Sequence, residues 1–379
     1  MKAFVSAALL LATSSVFAAS VPEPPAMDAK SYALVDFGSG ALLAGRDPDA
    51  QVEPASITKV MTVYIAFDYI KQGRIKATDE VLISEKAWRR GLGSNESRMF
   101  LDVGSRVKVE DLLRGVIIQS GNDASLALAE HLAGSEEVFA QVMNDYAAKL
   151  GMKNSHFMDA SGMPDPKHYT TARDLTTLAR ALIKDFPDQY RIFSERDFTY
   201  NKIKQGNRNI LLDMDPTVDG IKTGHTEAAG FCLLSSAQRD GRRLIAAVMG
   251  TKSIKYRAQA SLELLNYGFR FFDTATLFGG DKVVGSVRVW KGADETVNVG
   301  VPHEAYFTVP HGEANKLVVT PSMIDKTIAP VEAGQPLGTV TVSLDGKELQ
   351  KLPLVALKPV PKGSLTKQAI DQIRVWIGY

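Results

Sequence analysis

The stretch Glu53-Pro54-Ala55-Ser56-Ile57-Thr58-Lys59-Val60-Met61-Thr62-Val63-Tyr64-Ile65-Ala66-Phe67-Asp68-Tyr69-Ile70-Lys71 carries the decision about the fold. Wound as a helix from Ser56, it places apolar side chains on nearly every side: Val60, Met61, Val63, Ile65, Ala66, Phe67 and Ile70. A helix that is apolar all round is a buried one. Gly73 stands where its C-terminal cap belongs. The spacing therefore predicts a helix over 56–71 inside a core.

Upstream, 31–37 reads as a strand, Gly38-Ser39-Gly40 as a turn and 41–45 as the returning strand. Downstream, helices are expected over 109–118, 124–132, 136–150 and 171–184; Gln119-Ser120-Gly121-Asn122 joins the first two. The period then changes. Segments 231–237 and 243–249 are β-like and joined by Asp240-Gly241, a strong hairpin signal, and 258–272 is helical again. A strand at the start, helices in the middle and a hairpin with a helix at the end fit an α+β fold. Its antiparallel sheet would pair the first strand with the last ones, flanked by helices.

From 282 to 360 valines alternate with polar residues, as in Val287, Val289, Val297, Val299 and Val340-Thr341-Val342, with turns such as Asp345-Gly346. This reads as a small all-β region without a catalytic constellation, hence a spacer or docking module. The stretch 364–379 winds into an amphipathic helix. Leu365, Ala369, Ile370, Ile373, Trp376, Ile377 and Tyr379 share one face, opposite Lys367, Asp371 and Arg374. Such a helix lies in a membrane interface or docks on its own domain, and the residues leave both open. At the other end, Lys2, an apolar run over 3–11 and small residues to Ala18-Ala19 have the form of a secretory signal. The run is too short to span ~30 Å of hydrocarbon. The expected division is a signal over 1–19, a catalytic domain over 20–279, a β-rich domain over 280–362 and the terminal helix over 363–379.

The chain has 379 residues, 45% apolar and 23% charged, values of a globular protein rather than a disordered one. A net charge of +1 gives no field suited to nucleic acid. The single cysteine, Cys232, excludes an internal disulfide and is expected as a buried strand residue.

Three short motifs carry chemistry. Ser56-Ile57-Thr58-Lys59 is an S-x-x-K at the start of the buried helix. A serine hydroxyl needs a base to take its proton, and a lysine three residues on shares its face. Apolar surroundings would favour the neutral, basic amine. Ser120-Gly121-Asn122 is an S-x-N whose serine can shuttle a proton while the asparagine amide holds a substrate carbonyl. Lys222-Thr223-Gly224 lies on an expected strand. Its cation and hydroxyl suit a carboxylate, and its glycine admits a ligand close to the backbone. A second cation near Lys59 would lower that lysine's pKa further. Each motif alone is weak, and Ser364-Leu365-Thr366-Lys367 repeats the first by coincidence. The trio in this order, on a helix start, a helix–helix loop and a strand, is specific.

With these motifs the sequence resembles the low-molecular-mass penicillin-binding proteins, the serine-type D-alanyl-D-alanine carboxypeptidases of peptidase family S11. The wording Pro54-Ala55-Ser56-Ile57-Thr58-Lys59-Val60-Met61-Thr62, Ser120-Gly121-Asn122-Asp123-Ala124 and Asp219-Gly220-Ile221-Lys222-Thr223-Gly224-His225-Thr226 is that family's own. The resemblance implies a β-lactamase/transpeptidase-like catalytic domain followed by the small β domain. It also implies a peptidoglycan stem peptide ending in D-Ala-D-Ala as substrate, inhibition by β-lactams, and export to the periplasm, peripheral on the outer face of the inner membrane. No cofactor and no metal are implied. Ser56 would be the nucleophile, Lys59 the base and Ser120 the proton relay. Asn122 would hold the substrate amide, and Lys222, Thr223 and Gly224 the terminal carboxylate. The amides of Ser56 and His225 would form the oxyanion hole, with Arg208 supporting the carboxylate end. Where family members carry an arginine after the hairpin, this chain has Lys252. A class A β-lactamase would need a deacylating E-x-x-L-N glutamate, and Glu130, Glu136, Glu137 and Glu195 lack that context. A D,D-endopeptidase on cross-links and a non-catalytic penicillin sensor are the remaining alternatives. The six histidines make no H-E-x-x-H, which argues against a zinc peptidase.

Overall fold

The computed structural model describes residues 21–279 and 282–376. The signal expected over 1–19 lies outside them, as do Ile377 and Tyr379 of the terminal helix. The central sheet has five antiparallel strands in the order Leu42–Arg46, Ser31–Asp36, Arg242–Thr251, Gly230–Arg239, Val218–Thr226. The first strand thus pairs with the last one, as its sequence position suggested. Period-2 alternation sends the central strand's side chains into two separate cores. Leu244, Ala246 and Val248 pack against the helix Ile254–Phe271, whose Leu264 and Leu265 are fully buried. Ile245, Ala247 and Met249 face the opposite, larger helical layer.

The helix Lys59–Lys71 lies in that larger layer, with ten of its residues buried, Val60 to Phe67 without interruption. Val60, Thr62, Val63 and Ile65 are β-branched and weak helix formers. The helix is therefore held by packing rather than propensity, each large apolar side chain contributing about 1.5–3 kcal/mol. The α-helix begins at Lys59 rather than at Ser56, because a single 3-10 turn, Ala55–Thr58, leads into it. In such a turn residues three apart eclipse, so Lys59 is brought directly over Ser56. Cys232 is fully buried in its strand, and burial pushes its thiol up to about 11.

The second region is a six-stranded sheet in the order Leu317–Met323, Pro336–Leu344, Lys347–Ala356, Thr296–Gly300, Val283–Trp290, Lys326–Ile328, with a valine-rich core. A further strand, Phe272–Phe278, pairs with Ala305–Pro310, and its hydrogen bonds run across the 279/280 division expected from sequence. Buried Asp36 at the end of the first strand accepts from Thr274 Oγ1, Arg242 donates Nε to the same hydroxyl at 2.9 Å, and Ser39 Oγ meets Thr308 Oγ1 at 2.6 Å, so polar contacts join the two regions. The helix Leu365–Trp376 docks by its polar side. Asp371 is buried and accepts from Lys291 N at 2.8 Å, while Leu365, Ile370, Ile373 and Trp376 face outward. The second S-x-x-K does not form a pair: Ser364 Oγ meets Thr366 Oγ1, and Lys367 Nζ reaches Ala293 O.

Candidate active site

Ser56 enters its turn from Ala55, a non-glycine residue in the left-handed region at φ 48°. Such a conformation costs about 1–3 kcal/mol and persists only where surrounding packing enforces it. Gly162 supplies part of that packing. A β-carbon there would sit 1.8 Å from Ala55 O, and its φ is +86°, so only glycine fits. On the other side the strand Val218–Thr226 runs against the turn, where a β-carbon on Gly224 would meet Pro54 O at 2.7 Å.

Lys59 Nζ lies 2.9 Å from Ser56 Oγ, 2.7 Å from Asn122 Oδ1 and 2.8 Å from Ser161 O. The side chain is completely buried, and this desolvation is the main reason its pKa is pushed down to about 7. Asp159 and Glu96 oppose the shift, whereas Arg90 and Arg208 reinforce it. Burial with these two arginines, more than the Lys222 expected from sequence, accounts for the direction. Lys222 is also buried and held well below its ordinary value, first by desolvation, then by Lys59, Arg208 and Arg257. At about 7, a sizeable share of Lys59 is neutral near physiological pH and able to take a serine proton.

Ser120, in the helix–helix loop, is the second strained residue, at φ 61°. Asn122 opens the next helix, Asn122–Ala133, and bridges two charges, taking Lys59 on its oxygen and giving its Nδ2 to Glu96 Oε2 at 2.6 Å. Beside it, Asp123 accepts from the amides of Met99, Phe100 and Leu101, fastening the preceding loop to the S-x-N turn.

Ser56, Ser120, Asn122, Thr223, Gly224, His225 and Arg208 all border one cavity of about 620 Å³. Thr223 is buried at its wall, and His225 stacks on Phe231 with ring centroids 4.0 Å apart. Arg208 donates Nε to Gln119 O at 3.0 Å, and its side chain is open to solvent at the cavity. Lys252, by contrast, is exposed and lies 3.9 Å from Asp28.

Sequence reasoning missed several members. Arg257 is buried, borders the cavity and donates to Gly224 O at 3.1 Å; its pKa is lowered to about 10, chiefly by burial. Ser161 lends its carbonyl to Lys59, and Asp159 organises the loop around it by accepting from the amides of Ser161, Gly162 and Met163. Burial works against the Asp159 charge, yet buried His168 at 3.3 Å and these amides hold its carboxyl well below the usual range. Among the described residues no carboxylate lies within ion-pair distance of Lys59, Lys222, Arg208 or Arg257. Arg257, buried at the cavity wall beside Arg208, is a cation without a counter-charge, which is costly, so the cavity is suited to an anionic ligand.

A family model described as D-alanyl-D-alanine carboxypeptidase matches residues 17–253, and one described as penicillin-binding protein 5, C-terminal domain, matches 272–362. The chain is 41% identical over 366 residues to the D-alanyl-D-alanine carboxypeptidase DacA of Escherichia coli (strain K12), covering 94% of this chain and 91% of that one. It is 40% identical over 382 residues to DacC of the same organism, covering 98% and 96%. Among solved structures it is similar to penicillin-binding protein 5 from Haemophilus influenzae, with a TM-score of 0.85 and 41% identity over 90% of this chain and all of that one.

Proposed function

The chain belongs to the D-alanyl-D-alanine carboxypeptidase family, and from that membership we propose that it removes the terminal D-alanine of peptidoglycan stem peptides through an acyl-enzyme on Ser56. Lys59 takes the hydroxyl proton as the Ser56 Oγ lone pair attacks the carbonyl between the two D-alanines. The amides of Ser56 and His225 donate hydrogen bonds to the developing oxyanion. Ser120 passes a proton to the departing amine, D-alanine leaves, and the shortened peptide remains as an ester on Ser56. Water, deprotonated through Lys59, then adds to that ester and restores the serine. Asn122 holds the substrate amide, and Lys222, Thr223 and Gly224, with Arg208, receive the terminal carboxylate. A β-lactam opens its ring on Ser56 by the same route and is held as the corresponding ester.

The observation that carries this reading is a completely buried lysine, its pKa pushed down to about 7, 2.9 Å from the serine hydroxyl. The test is incubation of native protein and Ser56→Ala with a fluorescent penicillin and, separately, with a D-Ala-D-Ala-ended pentapeptide. Labelling and free D-alanine, both lost in the variant, are expected. Labelling without D-alanine release would replace the reading with a D,D-endopeptidase or a non-catalytic penicillin sensor, and an unlabelled native protein would overturn it.

Export and peripheral membrane contact belong to the same proposal. Support for export comes from the charged, apolar and small-residue order of 1–19. Support for contact comes from the outward Leu365, Ile370, Ile373 and Trp376 on a helix whose polar side is occupied by its own domain. Among the described residues no helix is long and apolar enough to cross a membrane. Binding of the native chain to anionic vesicles, lost on Trp376→Ser with Ile373→Ser, is the expected result; equal binding by both would refute the contact.

A further inference from the structure

Glu96 is the one carboxylate among the described residues bordering the Ser56 cavity. Its position is fixed from both sides: Ser94 Oγ accepts from Glu96 N at 3.2 Å, and the next residue's carbonyl, Ser97 O, takes Asn122 N at 2.8 Å. The side chain ends 2.6 Å from Asn122 Nδ2, with Arg90 Nε 3.9 Å away. The Asn122 carboxamide is held by two groups of opposite demand. A carboxylate only accepts, so the NH2 must face Glu96, and the oxygen is left to face Lys59 at 2.7 Å.

That orientation bears on where the Lys59 lone pair points. A neutral amine has two N–H groups and one lone pair. Asn122 Oδ1 and Ser161 O, at 2.7 and 2.8 Å, are placed to take the two N–H groups, leaving the lone pair for the Ser56 hydroxyl at 2.9 Å. A carboxamide turned over would offer NH2 to Lys59 and compete with Ser56 for the same lone pair.

We propose that Glu96 is a positioning residue for acylation, holding the Asn122 carboxamide so that Lys59 meets Ser56 with its lone pair. The proposal rests on the roles given to Ser56 and Lys59 above. Once Lys59 has accepted the proton, the Glu96 charge also favours the new ammonium. The other charged groups facing Lys59 are Asp159 from the 159–163 loop, Arg90, Arg208 and Lys222; Asp159 acts in the same sense as Glu96, and the cations oppose it.

The experiment compares native protein, Glu96→Gln and Glu96→Ala for D-alanine release from a soluble D-Ala-D-Ala peptide across pH, with melting temperature as a folding control. Glu96→Ala is expected to lower kcat roughly 10- to 100-fold, the effect of losing a charge-assisted hydrogen bond, with KM within about threefold. Its acid limb in kcat/KM should move to lower pH, because a negative charge that favours protonated Lys59 is gone. Glu96→Gln should move the limb the same way yet recover much of the rate, since its amide oxygen still accepts from Asn122. Native kcat and an unmoved limb in Glu96→Ala would overturn the proposal alone. Equal losses in both variants with no shift of the limb would also overturn it, as the mark of a merely structural side chain. A native protein without Ser56-dependent turnover would remove the proposal together with the assignment it rests on.

Discussion

The core around Ser56 and the core of the β-rich region are built on opposite terms. The first buries Lys59, Lys222 and Arg257 with no ion-pair partner among the described residues, and holds Ala55 and Ser120 in strained conformations. The second is packed from Val287, Val289, Val297, Val299, Val340, Val342 and Leu354. Its buried charged side chains among the described residues are Glu313 and Asp371, and each is satisfied, by Lys316 Nζ at 2.9 Å and Lys291 N at 2.8 Å. Unpaired buried charge opposes folding wherever it occurs. It is tolerated in one region and avoided in the other, which locates where chemistry overrides stability.

Replacing the buried amine breaks the contrast most severely. Lys59→Met keeps the length and apolar stem but removes the base, and D-alanine release should fall about 10²- to 10⁴-fold. Stability should respond with a distinct pH signature. The folded pKa of about 7 lies below the ordinary 10.5, so between those values the unfolded chain holds more protons and native stability rises with pH. The burden of burying the charge is complete below about 7 and gone above 10.5, on the order of 5 kcal/mol across the window. Against this, the variant strands Asn122 Oδ1 and Ser161 O, at about 1–3 kcal/mol each. Urea midpoints should therefore show the variant faring best relative to native near neutral pH and losing ground as pH rises toward 10. A constant difference across that range would mean that Lys59 is not held neutral by burial.

Two glycines sharpen the contrast with a smaller effect. Gly162, at φ +86°, abuts Ala55 O, whereas Gly334 in the β-rich region has nearly the same φ, +81°, with nothing near its missing β-carbon. Gly162→Ala should displace the backbone that carries Ser56 and slow penicillin acylation about 10- to 100-fold, since a shift near 1 Å can have that consequence. Gly334→Ala should lose only the left-handed strain, about 1–2 kcal/mol, with acylation unchanged. Acylation rates that fall equally in both would show that crowding at Ala55 does not matter.

The two regions also differ in how much of them could be read in advance. The buried helix, the hairpin and the valine alternation are periodic, and periodicity survives in a single sequence. Ser56 and Lys59 were legible for a similar reason, since their approach is set by three residues of local geometry. Glu96, Asp159, Ser161 and Arg257 arrive from separate loops and a distant helix, and nothing within a few residues of each marks it. Arg90 and Arg208 join burial in lowering Lys59 only because the chain folds back on itself, so sequence spacing pointed to Lys222 instead. The terminal helix gives a different lesson. Over the described residues its wheel separated apolar from docking face, but which face docks depends on Asp371 finding Lys291 N, a contact 80 residues away.

The mildest prediction for turnover removes bulk from the apolar core of the β-rich region. Leu354 is fully buried among valines, and Leu354→Ala should cost the β-rich region about 2–5 kcal/mol through lost transfer energy and the cavity left behind. In a Trp88→Phe, Trp376→Phe background, buried Trp290 in the same region gives a fluorescence signal for its unfolding, while penicillin labelling of Ser56 reports on the catalytic region. In urea the Trp290 midpoint should move down and the labelling midpoint stay within error, with turnover in buffer unchanged. The junction is made by local polar contacts, of Asp36 and Arg242 with Thr274 and of Ser39 with Thr308, so a cavity in the valine core is expected to act on its own region first. If both midpoints moved together, the two cores would be one cooperative unit, and the β-rich region would be part of what holds Lys59 uncharged.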